Sequence, residues 1–239
     1  MDDGKRLTAR GAFRKEGPLS IVVGVSGGIA AYKACAAVRL FKEAGHRVTV
    51  VATRAALSLV GAVTWEALSG RRVYSDVCED AADVAHVRLA READAIVVVP
   101  ATANTLAKIR AGIADNMLTN AVLAATCPVF AAPAMHTEMW LNPATQENVA
   151  VLRERGVRFI GPASGRLTGA DSGVGRLSEP GDVVAAVLSA MRESSGRRDL
   201  HGLTFAVSAG GTREPIDPVR YLGNRSTGRF GTAITRLAA

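Results

Sequence analysis

The chain has 239 residues, enough for one large domain or for one and a half domains of average size. Hydrophobic residues make up 48% of it, so we expect a sizeable core and no general disorder. The net charge of +7 would suit an acidic partner, but aromatic residues are only 5% and no basic stripe contains them. We therefore expect no nucleic acid as a partner, because a phosphorylated small molecule accounts for the basic character equally well.

The first 18 residues, MDDGKRLTARGAFRKEGP, contain no apolar stretch of the kind found in secretory signals. They predict a flexible basic tail over residues 1–18. No apolar run is long enough to span a bilayer, so no membrane partner is expected. Cys35, Cys78 and Cys127 are widely spaced and form no CxxC motif, which argues against disulfide bonds and a zinc site. We expect no metal ion and a cytoplasmic location.

Short segments rich in β-branched residues recur along the chain, each of them apolar on both faces. These predicted strands cover residues 19–26, 47–53, 95–102, 128–135 and 157–163. The predicted helices that separate most of them cover residues 28–46, 104–126 and 143–156. Strands buried on both faces that alternate with helices predict an α/β fold with a doubly wound, Rossmann-like parallel sheet. In such a sheet, ligands bind beyond the carboxyl ends of the strands.

The first predicted strand ends in a glycine-rich turn, GVSGGIAAYKA, which starts at Gly24. Gly27 and Gly28 allow a tight turn and a close approach of the backbone to a ligand. Free N–H groups at the start of the next helix can then hold a phosphate. The spacing is neither GxGxxG nor a P-loop, since Ser26 takes a glycine position and no GK[ST] follows. The alternative is a turn that only packs the helix against the strand.

The third predicted strand ends in PATANT, which places Thr102, Asn104 and Thr105 at a strand-to-helix turn. Their side chains could cap the helix, which is the purely structural alternative. They could equally offer hydrogen-bond donors and acceptors to a planar polar ring. Three such groups within four positions are more than one cap requires.

Four segments together carry a resemblance to a known family. They are SGGIAAYKA, PATANT, GIADNMLTN and PAMHTEMW, which begin at Ser26, Pro100, Gly112 and Pro133. The chain resembles the flavin-containing cysteine decarboxylase family over residues 19–193. The resemblance implies FMN as the cofactor and decarboxylation of phosphopantothenoylcysteine to phosphopantetheine, a step of coenzyme A biosynthesis. FMN would accept a hydride from the carbon that bears sulfur and return it after carbon dioxide has left.

The resemblance also implies which residues hold the cofactor and the substrate. The first glycine loop and the end of the second strand would hold the FMN phosphate, and the PATANT segment would contact the rest of the cofactor. The predicted cofactor contacts are Ser26, Gly27, Gly28, Ile29, Ala30, Thr53, Thr102, Asn104 and Thr105. The predicted substrate contacts in this part of the chain are His136, Met139 and Arg176.

His86, in the segment DVAHVRLAREAD, falls where the family places its essential histidine. The resemblance implies that His86 is catalytic, and an imidazole suits proton transfer from a thiol or an adjacent carbon near neutral pH. The alternative is an ordinary exposed histidine beside a helix.

The sequence departs from the family pattern at two positions. His136 stands where the family has an asparagine that helps hold the substrate carboxylate, and the charge of an imidazole depends on pH. Gly169 stands where the family's flexible flap has a cysteine that supplies a proton in the reductive step. Glycine has no side chain to donate a proton. Water or a neighbour such as Asp171 must therefore replace it, or the reaction stops at the enethiol.

From residue 200 the sequence resembles the start of a phosphopantothenate–cysteine ligase domain, in the segment LTFAVSAGGTREPIDPVRYLGNRSTGRFG. A strand is expected near Val207, and Asn224 matches an asparagine implicated in substrate activation with CTP. We expect residues 194–199 to be a linker and residues 200–239 to be a truncated ligase domain. CTP and Mg²⁺ would be cofactors only of a complete domain, so ligase activity is not expected.

Two other functions stay open at this point. One is a non-catalytic, flavin-binding regulatory subunit of the same fold, which the changes at Gly169 and His136 favour and His86 disfavours. The other is a flavin prenyltransferase or a general flavin oxidoreductase, which the PAMHTEMW segment disfavours. The resemblance further implies a homotrimer or a higher assembly of trimers, because the family's sites form between subunits.

Overall fold

A computed structural model describes residues 17–77, 85–167, 171–194, 204, 206–224 and 226–238. The chain forms two compact units, residues 1–196 and 197–239. The boundary between the units falls within the stretch predicted as a linker. Most of the predicted tail and linker lie outside the described residues, as do Cys78 and Gly169.

A five-stranded parallel sheet forms the centre of the first unit. Its strands are β1 Ser20–Val25, β2 Arg47–Ala52, β3 Ala95–Ala101, β4 Val129–Pro133 and β5 Arg158–Phe159. Their spatial order is β2-β1-β3-β4-β5, so the chain leaves β1 toward β2 and later returns to the other side of β1. This arrangement confirms the predicted doubly wound α/β fold. The change of direction between β1 and β3 opens a crevice at their carboxyl ends.

Nine helices of the first unit lie within the described residues, and those that pack on the sheet cover both of its faces. They are α1 Ala31–Glu43, α2 Arg54–Leu59, α3 Ala62–Ser69, α4 Ala85–Glu92, α5 Ala103–Ala111, α6 Met117–Leu123, α7 Thr137–Leu141, α8 Pro143–Glu154 and α9 Pro180–Ser194. Helices α1, α3 and α9 pack on one face, and α4, α6 and α8 pack on the other. Successive residues of β1 therefore point to opposite faces of the sheet. Ile21 and Val23 pack in the core beneath α1, α3 and α9, and Val22 packs in the core beneath α4, α6 and α8. This two-sided burial explains the continuous apolar runs of the sequence.

The prediction of one helix over residues 104–126 is wrong, because the structure has two helices there. Helix α5 ends at Gly112, whose left-handed conformation, with φ of 72°, suits a residue without a side chain. Helix α6 starts after Asn116, whose side-chain oxygen accepts a hydrogen bond from the backbone N–H of Thr119 at 3.1 Å. The loop between the two helices enters the functional site described below.

The prediction of a strand over residues 157–163 is confirmed only for the two residues of β5. The chain turns at Gly161, with φ of +79°, and Pro162 then has no N–H to donate to a sheet. An unpredicted antiparallel hairpin follows, formed by β6 Ala163–Arg166 and β7 Ser172–Arg176. On the opposite edge of the sheet, Tyr74 continues the pairing beyond β2. Its N–H donates to Val50 and its carbonyl accepts from Ala52.

The second unit contains β8 Arg213–Pro215, β9 Tyr221–Gly223 and α10 Arg229–Ala238, with β8 and β9 antiparallel. The strand predicted near Val207 is absent from the described residues 206–212. A strand needs a paired neighbour for its backbone groups, and β8 and β9 pair with each other. The side-chain oxygen of Asn224 accepts a hydrogen bond from the N–H of Ser226 at 3.2 Å.

Among the helices that the structure describes, none combines the length and the apolar character needed to cross a membrane.

Candidate functional site

A cleft of about 1300 Å³ opens at the carboxyl ends of the central strands. Its walls come from the turns after β1, β2 and β3, from the loop between α5 and α6, from the turn before α7, and from the β6–β7 hairpin. It brings together most of the predicted contacts, namely Gly27, Gly28, Ile29, Ala30, Thr53, Thr102, Asn104, Thr105, His136, Met139 and Arg176. Ser26 and His86 do not line it, and Asn224 belongs to the second unit.

Three helices, α1, α2 and α5, begin at this cleft, each directly after a strand of the sheet. The hydroxyl of Thr53 caps α2 by accepting from the N–H of Ala56 at 3.2 Å. The hydroxyl of Thr102 likewise caps α5 by accepting from the N–H of Thr105 at 3.3 Å. No side chain caps α1, whose N-cap residue is Ala30. The positive end of α1 is therefore the one left without a side-chain partner, and it suits a phosphate.

The glycine loop before α1 is packed too tightly for side chains. A Cβ atom on Gly27 would lie 2.3 Å from the Cβ of Ala55 and 3.1 Å from its carbonyl carbon. A Cβ atom on Gly28 would lie 3.1 Å from the Cγ2 of Thr102. The bare backbone thus forms a narrow cradle at the start of α1. The N–H groups of Gly28 and Ala31 are already bonded within the turn. Those of Gly27, Ile29 and Ala30 are the ones suited to the phosphate end of a nucleotide-like cofactor such as FMN.

Ser26 supports this cradle from behind, and its hydroxyl is fully buried. The hydroxyl donates a hydrogen bond to the carbonyl of Pro100 at 2.6 Å and accepts one from the N–H of Thr102 at 3.0 Å. Both of its hydrogen bonds go to the end of β3, so Ser26 ties the turn after β1 to the turn after β3. This side chain sets the spacing of the two turns.

We expect replacement of Ser26 by alanine to lower the free energy of unfolding by about 1–3 kcal/mol, because the N–H of Thr102 loses its partner and the carbonyl of Pro100 keeps only the bond from the backbone N–H of residue 26. The matched control is Ser58→Ala, which removes an exposed hydroxyl that only donates to the carbonyl of Arg54 within α2. Urea unfolding of both variants measures the difference. Equal losses for the two would contradict the bridging role.

The loop between α5 and α6 adds a charged pair that sequence reasoning missed. The Nζ atom of Lys108 lies 2.5 Å from a carboxylate oxygen of Asp115, and Asn116 donates to the other oxygen at 2.8 Å. The hydrogen bond from Lys108 holds the pKa of Asp115 below its ordinary value, so this carboxylate stays ionised. All three side chains line the cleft. Helical spacing could have identified Lys108 as a site residue. It follows the predicted contact Asn104 by four residues and therefore lies on the same face of the helix.

His136 and Arg176 also line the cleft. His136 directly precedes α7, and its Nδ1 atom lies 4.0 Å from a carboxylate oxygen of Asp171. Arg176 pairs with Glu179, and the Nζ atom of Lys33 lies 3.6 Å from the same carboxylate oxygen. Lys33 and Arg176 line the cleft, whereas Glu179 does not. Lys33 and Arg176 share one carboxylate, so this group of three side chains carries an excess of one positive charge, which favours an anionic ligand.

His86 lies in the first turn of α4, half-buried, and α4 packs against α6. It is therefore outside the cleft of its own chain, unlike the other predicted site residues of the first unit except Ser26. Within the described ranges, no group of three or more histidine, cysteine, aspartate or glutamate side chains is placed to hold a metal ion.

Comparisons with known proteins agree with this geometry. The family model "Flavoprotein" matches residues 12–192, and the model "DNA/pantothenate metabolism flavoprotein C-terminal domain" matches residues 200–239. The chain is 57% identical over 223 residues to the coenzyme A biosynthesis bifunctional protein CoaBC of Mycobacterium tuberculosis. That alignment covers 93% of this chain and 53% of the relative, so the chain spans about half the length of the curated relatives it matches.

Two solved structures resemble the first unit. A cysteine-to-serine mutant of PPC decarboxylase, complexed with pantothenoylaminoethenethiol, is 34% identical, with a TM-score of 0.66, covering 73% of this chain and 98% of that one. The FMN-dependent cysteine decarboxylase SpaF is also 34% identical, with a TM-score of 0.64, covering 74% and 97%. With a matching family model over most of its length and these relatives, the chain belongs to the flavoprotein family.

Proposed function

We propose that this chain is an FMN-dependent phosphopantothenoylcysteine decarboxylase, a carbon–carbon lyase that forms phosphopantetheine in coenzyme A biosynthesis. The observation that carries the proposal is the glycine cradle at the uncapped start of α1, which lies beside the capped start of α5 in one cleft. This is the arrangement that an elongated cofactor with one phosphate requires. The relatives named as decarboxylases support the choice of reaction.

The residues of the cleft divide between cofactor and substrate. Gly27–Ala30, with Thr53, would hold the FMN phosphate, and the segment Thr102–Thr105 would contact the rest of the cofactor. When bound, FMN supplies a two-electron acceptor, which makes loss of carbon dioxide beside an amide nitrogen feasible. The volume of about 1300 Å³ exceeds the usual range for one small ligand, so cofactor and substrate fit together.

Lys33 and Arg176 would bind the anionic groups of the substrate. Arg176 and Lys33 come from two different elements, and Glu179 holds both of them from outside the cleft. Met139, about half exposed, offers an apolar contact beside His136. A phosphorylated substrate therefore gains charge pairing that its dephosphorylated form lacks.

The proposal includes a homotrimer, or a higher assembly of trimers, in the cytoplasm. His86 lies outside the cleft of its own chain, so it would serve the cleft of a neighbouring subunit. Ligase activity with CTP and Mg²⁺ is outside the proposal, which rests on the cleft of the first unit.

The first test uses the purified chain, its visible spectrum and phosphopantothenoylcysteine. We expect a yellow protein that releases carbon dioxide and forms phosphopantetheine, followed by product mass. Pantothenoylcysteine, which lacks the phosphate, serves as the matched control and should be turned over with a higher KM. A yellow protein without turnover would support the regulatory-subunit alternative. A colourless protein that gains no colour with added FMN would contradict flavin binding itself.

A further inference from the structure

The proposed reaction ends with a step that needs a proton. Loss of carbon dioxide leaves an enethiol, and its conversion to the saturated thiol adds one hydride and one proton across the carbon–carbon double bond. The hydride, which was removed from the substrate in the first step, returns to the carbon that bears sulfur. The proton goes to the carbon that bears nitrogen. Electrons therefore balance within the proposed function, on which this inference rests, and only the origin of the proton is open.

The described residues of the cleft include few groups that can supply it. Lysine and arginine hold their protons too tightly near neutral pH to act as acids there. The two carboxylates that line the cleft are already paired, Asp115 with Lys108 and Asp76 with Arg54 at 3.5 Å. The described lining includes no cysteine, one tyrosine, Tyr32, and one histidine, His136. A phenol ordinarily releases its proton only well above neutral pH. An imidazole both donates and regains a proton in the neutral range, so its chemistry fits the step.

The backbone holds His136 firmly while leaving its ring free for this role. Its carbonyl accepts a hydrogen bond from the N–H of Trp140 at 3.0 Å, as the first bond of α7. Its side chain makes no capping bond to the helix, unlike the side chains of Thr53 and Thr102. The ring is 45% exposed and borders the cleft. The imidazole can therefore meet a substrate without breaking a bond that the fold requires.

The β6–β7 hairpin braces this position from the far side. The N–H of Met135 donates to the carbonyl of Gly175 at 3.0 Å. A Cβ atom on Gly175 would lie 2.3 Å from the carbonyl oxygen of Met135, so only glycine allows β7 to approach this closely. The hairpin places a carboxylate oxygen of Asp171 4.0 Å from the Nδ1 atom of His136. A carboxylate beside Nδ1 can orient the ring from that side.

We propose that His136 donates the proton that completes reduction of the enethiol, and that Asp171 is its positioning residue. The Nε2–H bond of the imidazolium breaks as the new C–H bond forms on the carbon that bears nitrogen. Solvent then returns a proton to the ring for the next turnover. Asp171 exchanges no proton with the substrate and acts only through the orientation of the ring.

The decisive variant is His136→Asn, since an amide can still hydrogen-bond to the substrate but cannot act as an acid. With the FMN-loaded protein in excess over substrate, we expect one carbon dioxide per FMN to be released at a rate changed less than about threefold, while formation of the saturated thiol falls about a hundredfold. A flavin that keeps the hydride cannot begin a second turnover, so a single turnover is followed. The enethiol, two hydrogens lighter, should then accumulate and be seen by mass. The matched control is Glu138→Gln, an exposed neighbour on α7 that does not line the cleft and should keep the wild-type product.

A second measurement tests the role of Asp171 in the absence of FMN. In the FMN-free chain, Asp171→Asn should shift the ring proton resonances of His136 and leave those of His46 and His86 unchanged. In the loaded protein, the same variant should lower the ratio of thiol to enethiol by about tenfold or less, since it acts through the ring. Unchanged resonances of His136 would overturn the role of Asp171.

The possible outcomes distinguish failure of this inference from failure of the proposed decarboxylase function. A His136→Asn variant that forms the saturated thiol at the wild-type ratio would overturn the assignment of the proton donor. So would a variant that retains FMN but releases no carbon dioxide, because His136 would then act earlier. A wild-type protein that releases carbon dioxide yet stops at the enethiol would also overturn it, while leaving the decarboxylase proposal intact. Absence of carbon dioxide with the wild type would instead contradict the proposed function.

Discussion

Replacement of Gly27 by valine is expected to give a colourless protein. The Cβ atom alone would lie 2.3 Å from the Cβ of Ala55 and 3.1 Å from a backbone carbon, so the loop must move. Movement of the loop removes backbone N–H groups from the phosphate. We expect FMN affinity to fall about a hundredfold or more, because one or two hydrogen bonds to a charged group account for that loss. Titration of the cofactor-free chain with FMN measures it.

The matched control for this variant is Gly181→Ala, in the first turn of α9, where a Cβ atom would meet no heavy atom within 4 Å. It should bind FMN like the wild type and be equally stable or slightly more so. Thermal unfolding of the cofactor-free Gly27→Val chain shows whether the fold persists. A folded Gly27→Val protein that binds FMN with the wild-type affinity would disprove the phosphate cradle.

Replacement of His86 by asparagine is expected to lower turnover at least about a hundredfold, the contribution of one proton-transfer group. FMN binding should stay normal, since His86 lies outside the cleft of its own chain. If His86 serves a neighbouring subunit, two inactive variants should restore each other. A chain with Gly27→Val supplies His86, and a chain with His86→Asn supplies the intact cleft.

Coexpression of the two variants in equal amounts tests this sharing. Random mixing in a symmetric trimer pairs an intact cleft with an intact histidine in about a quarter of the sites, so about a quarter of the wild-type turnover should return. Mixing purified homomeric proteins that cannot exchange subunits is the control and should restore nothing. A coexpressed protein that contains mixed assemblies, as shown by mass, and yet regains no turnover would show that His86 does not act in the cleft of a neighbouring subunit.

Much of the first unit could be predicted from its sequence because its central strands are buried on both faces. A short, continuous apolar run such as that of β3 is typical of a strand that lies between two layers of helices. The glycine loop after β1 could also be predicted, because a tight turn selects glycine through the local backbone conformation alone. The break near Gly112 and Asn116 was also marked in the sequence by a helix-ending glycine and a helix-capping asparagine, and the prediction of a single helix overlooked both.

Other features depend on contacts between distant segments, which a single sequence does not reveal. The hydroxyl of Ser26 bonds to residues more than seventy positions away, so its bridging role could not be distinguished from a cofactor contact. The sharing of Glu179 by Lys33 and Arg176 has the same character. The β6–β7 hairpin was missed because its glycines, which weaken any strand pattern, are there for close packing on the turn before α7.

The two edges of the central sheet have a consequence for handling the protein. The exposed edge of an open sheet is a template on which a strand of another molecule can add. Here Tyr74 occupies the backbone groups beyond β2, and on the opposite side β5 offers only two residues before the turn at Gly161. Neither edge presents a long row of free donors and acceptors. Concentrated solutions of the folded protein should therefore resist aggregation through the sheet edges. Any loss of soluble protein on storage should increase with the fraction of unfolded chains.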